Sequence, residues 1–141
     1  MLTGRVLGAL IAAHPREDPM ANPFVHIELQ TTDLKKAKDF YGKLFDWKLE
    51  DAPMPEIGTY TMIGVGDGTG GGMMTAPGKE APSQWIPYVD VSDIESSTKK
   101  VKQLGAKVLV DVVPVADMGR MSIFVDPTGA TLGLWQSNPR K

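Results

Sequence analysis

At 141 residues and 15.3 kDa the chain is the size of one domain, and 42% apolar with 23% charged residues gives enough material for a core. Fifteen Lys and Arg against seventeen Asp and Glu leave a net charge of −2 with no basic stripe, which argues against a nucleic-acid partner. Cysteine is absent, so disulfide frameworks, thiolate nucleophiles and sulfur-ligated zinc are excluded, and a reducing, cytoplasmic location is expected.

Residues 1–21 read as an N-terminal extension outside the fold. Arg5 precedes a short apolar stretch, Val6 to Ala13, which ends at the charged border His14-Pro15-Arg16-Glu17-Asp18, and Met20 stands just before the first strand-like segment. A leader and a start-site extension both fit this pattern. No apolar run reaches the roughly 18 to 20 residues of a membrane span, so no membrane partner is expected.

From Phe24 to Gln30 apolar and polar side chains alternate with period 2, which predicts a strand whose Val25, Ile27 and Leu29 share one face and whose His26, Glu28 and Gln30 share the other. Thr31-Thr32-Asp33 offers capping oxygens, and Leu34, Ala37, Phe40, Tyr41 and Leu44 recur along one helical stripe. Strands follow at Trp47 to Glu50, Tyr60 to Val65 and Gly71 to Thr75. Between the last two, Gly66, Gly68 and Gly71 stand in G-x-G-x-x-G spacing, but Met73 to Gly78 is too short and Pro-marked to open the helix that a pyrophosphate needs. The glycines therefore predict a hairpin turn.

The order then repeats. Trp85 to Val91 reads as a strand, and Ser92 with Glu95 has the spacing of a capping box. Ile94, Val101 and Leu104 form the buried stripe of a helix that Gly105 can end. Strands follow at Lys107 to Val113, Met121 to Val125 and Thr131 to Trp135, the last pair joined by the turn Asp126-Pro127-Thr128-Gly129. Leu34 and Ile94, Leu44 and Leu104, and Leu49 and Leu109 are each sixty residues apart, the mark of a tandem duplication. The predicted class is α+β: two βαβββ modules, about 24–77 and 84–137 of a domain spanning 22–137, form a curved, barrel-like mixed sheet with the helices outside, and 138–141 is a tail.

His26-Ile27-Glu28-Leu29 with Thr32-Asp33-Leu34 and Phe40-Tyr41, together with Asp126-Pro127-Thr128-Gly129 before the final strand, resembles the vicinal oxygen chelate superfamily of glyoxalase I, extradiol dioxygenases and bleomycin-resistance proteins, over about residues 22 to 137. The resemblance implies metal ligands on the first and last strands of each module. Of those positions only His26 carries a ligand. Its second-module counterpart is Ile86, the position after the Asp-Pro-Thr-Gly turn is Gly133, and the first-module counterpart of Gly133 falls at Met73 or Met74. The chain has only two histidines, and His14 lies in the tail, so a single folded domain cannot build a two-His-one-carboxylate iron site unless the tail folds in. No cofactor is expected on this ligand count, although an oxygen-ligated divalent metal or a ligand from a second chain would evade it.

His26 and Glu28, at i and i+2, point the same way about 7 Å apart and can address one ligand as acid and base, or else satisfy each other as a structural polar patch. Gln30 lies on their face, and the sixty-residue offset brings Tyr88 and Asp90 into the same trough from the second module. Trp85 is a candidate wall, and Met73, with Met62, Met74, Met118 and Met121, supplies thioethers suited to an irregular apolar ligand. Arg120 is either an anion anchor or a solvated surface arginine. Two functions follow. One is a binding module holding a small organic molecule without a metal, as drug-sequestering relatives of the resemblance do. The other is an enzyme, a lyase or isomerase using His26 and Glu28 or a metal-dependent enzyme with a completed shell. Open sheet edges leave closure within one chain and homodimerisation both available.

Overall fold

A computed structural model describes residues 22–54 and 58–139. The alternating segment forms β1 (Phe24–Thr31), and the Asp33 side chain caps the next element by accepting from Lys36 N–H at 3.0 Å. Helix α1 (Leu34–Leu44) then lays Leu34, Ala37 and Tyr41 over the buried Leu29, Ile63 and Met73. Strands β2 (Lys48–Met54), β3 (Gly58–Gly64) and β4 (Gly71–Thr75) complete the first module. The second runs β5 (Gln84–Asp90), α2 (Ile94–Gln103), β6 (Lys107–Val115), β7 (Gly119–Val125) and β8 (Thr131–Ser137). The proposed tail and leader positions 1–21, 140 and 141 lie outside the described residues.

All eight strands form one mixed sheet in the order β2-β3-β4-β1-β5-β8-β7-β6. Within each module the first strand pairs parallel with the last, β1 with β4 and β5 with β8. The modules meet where β1 and β5 run antiparallel, with His26 opposite Tyr88 and Glu28 opposite Ile86. The sheet curls into a half-barrel, so the expected α+β class and duplicated modules are what the chain adopts. Each helix covers its own patch of the outer face. Under α2, Val91, Ile94 and Leu134 are joined by Val101 and Phe124. Burying Ile94 completely contributes roughly 1.5–3 kcal/mol. On the inner face, Ile86, Tyr88 and Ile123 pack with Val110, Met121 and Trp135.

Several local expectations are corrected. The second helix begins one residue later than the Ser92 capping box requires. Asp93 is its cap, accepting from Ser96 N–H at 3.1 Å, and Ile94 N–H donates to Gln136 Oε1 at 2.8 Å. Glu95 is turned outward into an ion pair with Arg120, which also donates to Gln136, so Arg120 is an outer-face clamp on α2. Asp93 thereby repeats the role of Asp33. Leu109 is half exposed while Leu49 packs under α1, because β6 shifts register between Val108 and Val113 and breaks the sixty-residue correspondence. The glycine-rich segment turns between β3 and β4 through Gly66 and Gly68, both at positive φ, and continues into a strand. A Cβ at Gly71 would lie 1.9 Å from the Ile27 carbonyl oxygen, so that glycine serves close strand approach.

The cap assignment predicts that Asp93→Ala lowers unfolding free energy by about 0.5–2 kcal/mol in urea titrations, with Ser92→Ala changing it by no more than a few tenths. Equal losses at the two positions would restore the capping box.

Candidate functional site

The pleat of β1 sends His26, Glu28 and Gln30 to the inner face, away from α1. Glu28 is the centre of the site. Only 6% of it is exposed, and it is contacted by three neutral donors: Gln30 Nε2 at 3.0 Å and Tyr88 Oη at 3.1 Å reach Oε2, and Tyr60 Oη reaches Oε1 at 3.0 Å. His26 Nε2 lies 2.7 Å from the same Tyr60 oxygen, and the His26 ring meets Tyr88 edge-on at 5.8 Å. No Lys or Arg pairs with Glu28 among the described residues. A buried carboxylate without a cation requires several hydrogen bonds to offset lost hydration, and this cage supplies them.

The two tyrosines are seated on glycines. Gly72 on β4 is the register partner of Glu28, and a Cβ there would come within 2.1 Å of the Tyr60 ring. Gly133 on β8 is the register partner of Tyr88, and a Cβ there would come within 2.3 Å of the Tyr88 ring. Both phenols are driven well above the usual tyrosine range, first by burial and then by the charge of Glu28, so both stay protonated donors. Burial lowers the pKa of His26, and the opposing pull of Glu28 only partly offsets it.

The structure thus brings together His26, Glu28, Gln30 and Tyr88. Asp90 occurs at the end of β5, where its carbonyl accepts from Asn22 Nδ2 at 2.9 Å, and it takes no part in the hydrogen bonds around Glu28. Two expectations are corrected. Met73 is completely buried on the opposite face, beneath α1, because it is one residue out of phase with Gly72. Trp85 also faces outward, stacking edge-on with Tyr41 at 5.4 Å and lining an apolar cleft of about 210 Å³ with Ile27, Trp47 and Ile63. Tyr60 was missed. Its alternation with Met62 was visible, but its contact with Glu28 depends on the pairing of β3 with β4 and β4 with β1.

The register also revises the comparison of metal positions. Tyr88 opposite Gly133 mirrors Glu28 opposite Gly72, so the first-module counterpart of Gly133 is Gly72, sixty-one residues earlier, and not Met73 or Met74. The four positions are therefore His26, Gly72, Ile86 and Gly133, with tyrosine rings over both glycines. One imidazole, one alkyl group and two hydrogens do not make a divalent-metal donor set. Among the described residues no other group of three His, Asp or Glu side chains gathers.

Residues 24–134 match the Glyoxalase/Bleomycin resistance protein/Dioxygenase superfamily. The chain belongs to that superfamily. Within it, the glyoxylase-named protein CFP32 of Mycobacterium tuberculosis is 39% identical over 116 residues, covering 79% of this chain and 44% of that protein. The anthracycline biosynthesis protein DnrV of Streptomyces peucetius is 28% identical over 127 residues, covering 77% and 45%. This superfamily member thus spans less than half the length of these curated relatives. Methylmalonyl-CoA epimerase from Mycobacterium tuberculosis shares the fold, with a TM-score of 0.68 and 14% identity over 91% of this chain and 96% of that one.

Two predictions follow from the cage. Tyr88→Phe removes one of two donors to Glu28 Oε2 and should lower unfolding free energy by about 1–3 kcal/mol in urea titrations; an unchanged midpoint would mean that the bond contributes nothing. The depressed pKa of His26 makes the folded state favour the neutral ring. Its contribution is therefore complete above the unfolded value of 6.5 and is lost as pH falls from there to the folded value. Stability should decline across that window, and His26→Gln should flatten the decline.

Proposed function

We propose that this domain binds a small uncharged or cationic organic molecule in its trough and does so without the superfamily's metal. The observation that carries this reading is the charge inventory of the four central strands. β1, β4, β5 and β8 contain no Lys or Arg, and their only acidic residues are Glu28 and Asp90. An anionic ligand would find no counter-ion on these strands, whereas a cation would meet carboxylate charge and the faces of aromatic side chains. His26, Gln30, Tyr60 and Tyr88 supply neutral polar groups, and Met62, Met121 and Trp135 supply apolar surface. The epimerases of the same fold act, by their name, on a CoA thioester, a polyanion for which these strands are poorly suited.

A second reading, a lyase or isomerase, has one observation in its favour. His26 is held neutral and hydrogen-bonded at 2.7 Å, as a base would be. Proton transfer of this kind supplies about 10² to 10⁴ in rate, and Glu28, already engaged by three donors, suits a supporting role better than proton exchange.

Calorimetric titration of protein purified without chelators tests the proposal, using three matched planar probes that carry a neutral amide, an ammonium or a carboxylate. The carboxylate should bind at least about tenfold more weakly than the other two, a difference of about 1.4 kcal/mol. Equal or tighter binding of the carboxylate overturns the charge argument. A stoichiometric divalent ion in the native mass spectrum overturns the metal-free part.

A further inference from the structure

We infer that Tyr60 is a positioning residue that fixes His26 as the Nε2–H tautomer and leaves Nδ1 as a hydrogen-bond acceptor for an O–H or N–H group of the ligand. The assignment rests on counting protons through the cage. Gln30 Nε2 can only donate to Glu28, and Tyr88 has no closer acceptor than Glu28 Oε2, its other neighbour being the Met121 sulfur at 3.9 Å. Tyr60 Oη has two neighbours, Glu28 Oε1 at 3.0 Å and His26 Nε2 at 2.7 Å, and one proton. A carboxylate accepts and cannot donate, so that proton goes to Glu28. The phenol oxygen then accepts from His26, and Nε2 must carry the hydrogen.

A neutral imidazole has one N–H, so Nδ1 holds a lone pair. It makes no hydrogen bond to the protein among the described residues, and no buried side-chain nitrogen or oxygen lacks a partner, so Nδ1 reaches solvent. The result is a relay from Glu28 through Tyr60 to His26 in which the buried carboxylate determines whether the open edge of the imidazole accepts or donates. The tautomer depends on the cage alone, whereas the part played by Nδ1 toward a ligand rests on the binding proposed above; the test reads the tautomer, so its failure is distinct from a failure of that binding.

The test is long-range ¹H–¹⁵N correlation of the imidazoles in the full chain, with His26 told apart from His14 by loss of its signals in His26→Gln. The wild type should show the Nε2–H form of His26 at neutral pH. Glu28→Gln supplies the decisive reversal. Its amide oxygen replaces Oε2 opposite Gln30 and Tyr88, its NH₂ replaces Oε1 and donates to Tyr60, and Tyr60 must then donate to Nε2, which converts His26 to the Nδ1–H form. Adding Tyr60→Phe to Glu28→Gln removes the messenger and should abolish the conversion. Dominance of the Nδ1–H form in the wild type overturns the inference, as does an unchanged tautomer in a folded Glu28→Gln variant. Should Glu28→Gln not fold, Tyr60→Phe alone decides: the hydrogen-bonded Nε2–H proton, slow to exchange in the wild type, should be lost, and its persistence would reject Tyr60 as the partner.

Discussion

A carboxylate withdrawn from water, with no Lys or Arg paired to it among the described residues, is the constraint around which this domain is arranged. Glu28 sits on the first strand at the seam between modules, where the alternation of β1 leaves it no way to turn toward solvent without also exposing Leu29. Its hydration is replaced by hydroxyl and amide donors from β1, β3 and β5, so one side chain reads the position of three strands. The same requirement explains the glycines on β4 and β8. Without them the phenol rings could not lie close enough to the sheet for their oxygens to converge on Glu28.

The fold was legible because its signals are local and repeated. The period-2 run of β1, the capping residues before the first helix and the apolar stripe of each helix arise within a few residues of chain, and the sixty-residue spacing of Leu34 and Ile94 marks their repetition, although the second cap falls on Asp93 and not on Ser92. The site was legible only along one strand at a time. Alternation on β5 places Tyr88 opposite in face to Trp85, three residues away, so grouping both in one trough conflicted with the pleat itself. Tyr60 lay beyond the reach of pattern, because two strand pairings fix its distance from Glu28. Gly72 was missed for Met73 because the spacing between modules grows from sixty to sixty-one before the last strand, and one residue in a strand reverses the face.

Membership of the superfamily fixes the fold of this domain, and single side chains decide what its trough can hold. The epimerases and this domain curl the same sheet around the same trough, yet the chain places a histidine, an isoleucine and two glycines where metal ligands are sought. What fills the space is a hydrogen-bonded cage of neutral groups about one negative charge. Specificity on such a scaffold resides in the inward side chains, and the outer face, with its helix caps and the Arg120–Glu95 clamp, is free to stay the same.

The glycine beneath each tyrosine also shapes which substitutions can be reached one at a time. A carboxylate or imidazole arriving at position 72 or 133 would bring a Cβ into the ring above it, so a new ligand there is unfavourable until the tyrosine has gone. Losing the tyrosine first removes a donor from the buried Glu28 and is unfavourable as well. The two changes are therefore coupled: the ring must leave before position 72 or 133 can take a larger side chain, and its departure leaves Glu28 short of a donor unless the incoming group supplies one.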